Sequence, residues 1–75
     1  MARSLEIRTG EVIRELRLAK GMSQQELANE CEMERTHISA LERALRTPSL
    51  PTIFKLSEVL GITPSEFVRQ IEQRK

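Results

Sequence analysis

Two positions in this chain carry the same stop-and-start signal, and together they leave little room for anything but helices. Gly21 and Gly61 each close an apolar stretch of helical period, and each is followed two residues later by a hydroxyl side chain, Ser23 or Thr63. Glycine suits the left-handed residue that ends a helix, and a hydroxyl accepts a hydrogen bond from the free amides that open the next one. Ser23-Gln24-Gln25-Glu26 and Thr63-Pro64-Ser65-Glu66 both have the capping-box pattern, in which the glutamate returns to the backbone of the capping residue. Pro64 stands at the first helical position, where its missing amide has no helical partner to lose. The punctuation and the apolar periodicity predict helices at roughly 9–20, 24–31, 34–43, 50–60 and 64–73, with no alternating strand pattern between them. The expected fold class is all-α, and the absence of a composition break predicts one domain over 1–75.

One face of each predicted helix is apolar. Val12, Ile13, Leu16 and Ala19 mark the first; Leu27, Ala28 and Cys31 the second; Ile38 and Leu41, continued by Leu45, the third; Ile53, Leu56 and Leu60 the fourth. Ala28 is small where the second and third helices would cross, and a larger residue there would hold them apart. A chain of 75 residues buries only about 60% of its unfolded surface, so a staple is expected. The single cysteine excludes an internal disulfide, and the single histidine leaves no metal-ligand cluster. A second subunit is the staple that remains. Cys31, on the apolar face, reads as an inert buried thiol rather than a redox sensor.

Residues 23–43 form two short amphipathic helices joined by too few residues for a flexible linker, the layout of a helix-turn-helix. On a wheel of about 100° per residue, Ile38 and Leu41 set the buried direction, while Thr36, Ser39, Ala40 and Arg43 point away from it. That outer face is rich in donors. An arginine can fork onto guanine, hydroxyls can donate or accept, and alanine can touch a thymine methyl. A solvated helix surface has a similar composition; the tight turn and the capped helix before it favour a groove-reading face. Arg46, just past the helix, extends the positive stripe. Gln24 lies in the first turn of the second helix, where exposed amides suit a DNA phosphate. Glu26 is assigned to capping and Glu34 to the favourable end of the recognition-helix dipole. The formal net charge of +1 argues little for a nucleic-acid partner by itself, so the distribution of charge has to decide.

Glu42 falls only about 40° from Ile38 on the wheel and so faces partly inward. Arg17 lies at a similar angle from Ile13, and its guanidinium fork could satisfy a buried carboxylate. An Arg17–Glu42 pair is therefore expected to fix the recognition helix on the domain.

Lys20-Gly21-Met22-Ser23-Gln24-Gln25-Glu26-Leu27-Ala28, followed by Ile38-Ser39-Ala40-Leu41-Glu42-Arg43, resembles the Cro and phage-repressor (XRE-type) helix-turn-helix regulators over roughly residues 9–62. The stretch Glu34-Arg35-Thr36-His37-Ile38-Ser39, with Glu42, Arg43 and Arg46, is most similar to the controller proteins of restriction-modification systems, which are short single-domain dimers. The resemblance implies a five-helix, lambda-repressor-like domain. It implies DNA contacts by Gln24, Arg35, Thr36, His37, Ser39, Arg43 and Arg46, with Ala40 at an outward base-facing position, and an internal pair at Arg17 and Glu42. The sequence departs from the pattern in having Glu32 at a turn position often held by glycine, where a left-handed backbone would cost roughly 1 kcal/mol. His37 stands where some controller-like sequences have tyrosine. An exposed histidine there can bring a different base preference and pH response, although a recognition-helix histidine needs no switching role.

Phe54 and Val59 sit on the margins of the fourth helix's stripe, and Phe67, Val68 and Ile71 form a narrow strip on the last helix that packs internally or against a second subunit. Small size and the resemblance favour a homodimer with these residues at its interface. A two-fold dimer would set its recognition helices about 34 Å apart and read an inverted repeat in double-stranded DNA. RNA polymerase would be a further partner if the site adjoined a promoter.

No enzyme is expected: there is no nucleophile–base–orienter set, metal cluster or glycine-rich phosphate loop. No cofactor is expected either. Single-stranded binding is disfavoured because only Phe54 and Phe67 are aromatic and both read as buried. The competing reading is an antitoxin-like protein-interaction module that uses the last helices. The amino-terminal octet, Met1 to Arg8, breaks its apolar residues with charge and has neither a signal-peptide core nor a spanning segment, so the expected location is cytoplasmic.

Overall fold

A computed structural model describes residues 3–75; Met1 and Ala2 of the amino-terminal octet lie outside the described residues. The described chain forms α1 (Leu5–Ala19), α2 (Gln24–Glu30), α3 (Arg35–Glu42), α4 (Leu50–Leu60) and α5 (Pro64–Gln73), with no strand among the described residues. The fold class is all-α, as the punctuation predicts. Both capping hydroxyls act as expected: Ser23 accepts from the Glu26 amide at 3.0 Å while Glu26 accepts from the Ser23 amide at 2.8 Å, and Thr63 accepts from the Glu66 amide. Ser4 and Ser49 cap α1 and α4 in the same way.

Helix α1 starts four residues before the expected boundary, at Leu5 rather than residue 9. Thr9 and Gly10 look like poor helix formers, but both are buried inside α1. The early turn is tied to the far end of the chain. Arg8 donates to the Ile71 carbonyl at 3.2 Å, and Arg74 pairs with Glu11 and Glu15. Gly10 has a packing reason for its place: a Cβ there would stand 2.6 Å from the Leu41 carbonyl oxygen and 2.7 Å from that of Glu42. Only a bare backbone lets α1 approach the end of α3 this closely.

Each of the first four helices ends in the same hydrogen-bonded turn, closed by a left-handed residue at Gly21, Glu32, Ala44 or Gly61. In each, the amide of that residue and the next reach back to carbonyls three and five residues earlier. Examples are Glu32 to Asn29 with Met33 to Ala28, and Ala44 to Leu41 with Leu45 to Ala40. This is the Schellman arrangement. Two of its four left-handed positions are filled by side-chain-bearing residues.

The core joins Val12 and Ile13 of α1, Leu27 and Ala28 of α2, Ile38 and Leu41 of α3, Leu56 and Leu60 of α4 and Phe67 and Ile71 of α5, with Cys31 beside them. Leu16, Met22, Met33, Val59 and Ile62 pack against its edge. Four expectations are corrected here. Leu45 does not continue the α3 stripe; it is 64% exposed, because the left-handed Ala44 turns the chain out of the helix. Ala19 is exposed, at the last turn of α1. Phe67 and Ile71, placed with the subunit interface on sequence grounds, are core residues, Phe67 fully buried and Ile71 5% exposed. The aromatic that reaches solvent is Phe54, read as buried from the sequence and 55% exposed in the fold.

Candidate nucleic-acid interface

Helix α3 is held from beneath by Ile38 and Leu41, both completely buried, against α1 and α2. Its fixed underside presents the opposite face outward. Arg35 and Thr36 at the start of α3, Arg43 at its end and Arg46 in the following loop are exposed, while His37, Ser39 and Ala40 are half-buried. The Ala44 turn brings Arg46 back toward the beginning of the helix: Glu34, Thr36, His37 and Arg46 line one open depression. Glu34 is the residue preceding α3, and its side chain makes no capping bond. It shares that depression with Arg46.

The helix is anchored by an ion pair from which water is almost excluded. Arg17 donates from Nε to Glu42 Oε2 at 2.7 Å and from Nη2 to Glu42 Oε1 at 3.0 Å, and its Nη1 donates to the Met22 carbonyl at 2.8 Å. The two side chains are 9% and 4% exposed. Hydrogen bonding to Glu42 holds the Arg17 guanidinium above its ordinary range against the opposing effect of burial. A planar fork matched to a carboxylate, with its third nitrogen also satisfied, is the arrangement a buried pair requires. The Met22 contact adds the α1–α2 turn to the anchor, a link that no local pattern in the sequence indicates.

Gln24, expected at the phosphate side, has bonds that the sequence does not indicate. It is half-buried in the first turn of α2. Its Nε2 donates to Glu42 Oε1 at 3.1 Å, and its Oε1 accepts from Arg35 Nη1 at 3.2 Å. The sequence treats Gln24 as a phosphate-side residue; the fold also makes it a bridge between the anchor and an outward arginine. Glu26, two residues along, is occupied by capping, and the Ser23 backbone amide lowers its pKa. Its carboxylate is turned to the α2 start rather than to the outer face of α3.

Cys31 lies under this unit, 3% exposed, and burial pushes its thiol pKa up. Such a thiol is protonated and unreactive at neutral pH. No group of His, Cys, Asp and Glu side chains that could hold a metal ion occurs among the described residues.

Two short helices at a tight turn, the second seated on the core with a donor-rich face outward, define a helix-turn-helix DNA-binding domain. A helix-turn-helix family model (HTH_3) matches residues 13–67, and the chain belongs to that family. It is similar to the control protein C.BamHI of Bacillus amyloliquefaciens, 41% identical over 69 residues, spanning 91% of this chain and 85% of that protein. It is likewise similar to the control protein C.MunI of a Mycoplasma species, 37% identical over 70 residues, spanning 92% and 95% of the two chains. Among solved structures, the restriction-modification controller protein C.AhdI from Aeromonas hydrophila superposes with a TM-score of 0.78 at 41% identity, covering 81% of this chain and 92% of that one. The protein is a DNA-binding transcriptional regulator of the helix-turn-helix type, close to restriction-modification controller proteins.

Proposed function

We propose that this protein is a restriction-modification controller that binds an inverted-repeat operator as a homodimer, each subunit laying α3 in the major groove of one half-site. The observation that carries this reading is the outer face of α3. Arg35, Thr36 and Arg43 are exposed toward base edges, Arg35 with one nitrogen held by Gln24, while Ile38, Leu41 and the Arg17–Glu42 pair hold the helix behind them. Arg35 and Arg43 are assigned to guanine, with Thr36, His37, Ser39 and Ala40 completing the reading face. Gln24 and Arg46 are placed at the phosphate flanks, where they set register rather than sequence.

The second subunit is assigned to the α4–α5 side. Leu50, Phe54 and Val68 are all about half exposed or more, and with Ile53 and Pro64 they line an apolar groove. Val59, expected with them, packs against the core edge instead of lining this groove. A dimer formed here couples operator occupancy steeply to protein concentration. Beside a promoter, such a dimer represses by excluding RNA polymerase or activates by touching it. It would act in the cytoplasm, where the operator is.

Selection from random duplex DNA, with the wild type and an Arg35→Ala/Arg43→Ala variant, tests the reading. The expected result is an inverted repeat that the variant fails to enrich, with affinity that falls steeply with salt. No enriched motif, or one indifferent to both arginines, would reject it and bring forward an antitoxin-like protein partner at the exposed Phe54–Val68 groove.

A further inference from the structure

The polar network of the site runs in one direction from the core to the surface. Arg17 forks onto Glu42, Glu42 accepts from Gln24 Nε2, and Gln24 Oε1 accepts from Arg35 Nη1. Each link limits the next. An ionised carboxylate accepts and never donates, so Glu42 admits only the NH2 end of the Gln24 amide. Arg17 donates to both carboxylate oxygens and so fixes the plane of Glu42. The outward end of Gln24 is therefore obliged to be a carbonyl. A carbonyl accepts only, and arginine offers only donors.

Gln24 and Arg35 belong to different helices and stand eleven residues apart in the chain, so the bond exists only because α2 and α3 cross here. One nitrogen of Arg35 is held, and its other guanidinium donors have no bond among the described residues. That leaves a free edge for a base. An exposed arginine is otherwise ordered only when it binds, and a partner that holds it beforehand removes part of that entropic loss.

We propose that Glu42, acting through the amide of Gln24, sets the direction of Arg35 and so the base that Arg35 reads. Gln24 and Glu42 are positioning residues and Arg35 is the reader; the ion pair that anchors the helix is also a determinant of sequence preference. The inference rests on the DNA-reading role of α3.

The test compares wild type, Arg35→Ala, Gln24→Met, Glu42→Gln and the Gln24→Met/Arg35→Ala double variant. Each is measured against the duplex selected by wild type and against every single-base change in one half-site, with thermal melts as a fold control. Gln24→Met keeps the length of the side chain and leaves the Arg17–Glu42 pair intact, so it carries the test if Glu42→Gln does not fold. Arg35→Ala is expected to erase preference at one base pair. Gln24→Met should flatten preference at that same base pair and weaken binding to the selected duplex about tenfold, with Arg35→Ala adding nothing further in the double variant. Folded Glu42→Gln should do the same.

Equal weakening by Gln24→Met on every duplex, additive with Arg35→Ala, would overturn the proposal and leave Gln24 as a phosphate contact alone. Unchanged base preference in Arg35→Ala would overturn it as well. Failure of wild type to select any duplex is a separate result: it removes the DNA-reading assignment on which the relay depends, and the relay with it.

Discussion

Arg17 of α1 and Glu42 of α3 meet through two hydrogen bonds of 2.7 and 3.0 Å in a setting where neither side chain is more than a tenth exposed. The pair joins the first helix to the last turn of the recognition helix, 25 residues further on. Buried ion pairs add little net stability against a well-packed apolar alternative, but removing one member strands the other charge. Their value here lies in orientation: the carboxylate sits where only one placement of α3 can satisfy it.

Arg17→Ala leaves Glu42 with Gln24 as its remaining partner. The variant should lose about 3 kcal/mol of unfolding free energy, measured by urea denaturation. An Arg17→Met/Glu42→Leu double variant should recover a good part of that loss. Similar losses in the single and double variants would show that packing, not the stranded charge, sets the effect.

Gly10→Ala tests the close approach of α1 to α3. In an ordinary exposed helix this change stabilises by up to about 1 kcal/mol. Here the added methyl meets two backbone carbonyl oxygens at 2.6 and 2.7 Å, which cannot move as a side-chain tip can. The expected sign is reversed, with a loss of about 2 kcal/mol or more and weaker DNA binding as the end of α3 is pushed away. A thermal melt at or above the wild-type midpoint would contradict it.

Glu32 and Ala44 hold left-handed backbone, with φ of 57° and 64°. Glu32→Gly and Ala44→Gly should each stabilise by about 1 kcal/mol, less the extra freedom glycine has in the unfolded chain. Glu32→Gly also removes the exposed pairing with Lys55 at 3.6 Å, worth little. The gains should add, since the turns close different helices. Chemical denaturation of both single variants and the double variant measures this.

Acid should loosen the start of α2. The Ser23 amide lowers the Glu26 pKa from its ordinary 4.5, so the unfolded chain binds the proton more readily than the folded one. The contribution is complete above the unfolded value and is lost as pH falls through the lower folded value. Glu11, lowered by its hydrogen bond to Arg3, follows the same sign. Glu26→Gln keeps an acceptor for Ser23 without a titrating group. Its denaturation midpoint should therefore fall less steeply than that of wild type below about pH 4.5, and an unchanged slope would dismiss the capping carboxylate as a source of acid sensitivity.

The elements legible in advance were those written in neighbouring residues. Ser23 with Glu26, and Thr63 with Glu66, are bonded across a span of three residues, so their pattern carries the helix starts whatever the rest of the chain does. The buried direction of α3 is equally local, because Ile38 and Leu41 repeat at helical spacing. Ala44 was not legible. Alanine favours helix, and nothing beside it marks the left-handed turn that exposes Leu45 and carries Arg46 back toward Thr36.

The sequence by itself determined the class of fold, the starts of α2 to α5 and the composition of the outer face of α3, because all three depend on bonds and periodicities that close within a turn or two. Tertiary structure decided which apolar side chains became interior. Phe67 and Ile71 entered the core while Phe54 and Val68 remained outside, a choice made by the way α4 and α5 meet rather than by hydrophobicity. It also decided the need for a bare backbone at Gly10 and the bridge from Glu42 through Gln24 to Arg35. Those contacts join residues many turns apart, and their geometry exists only once the helices have crossed.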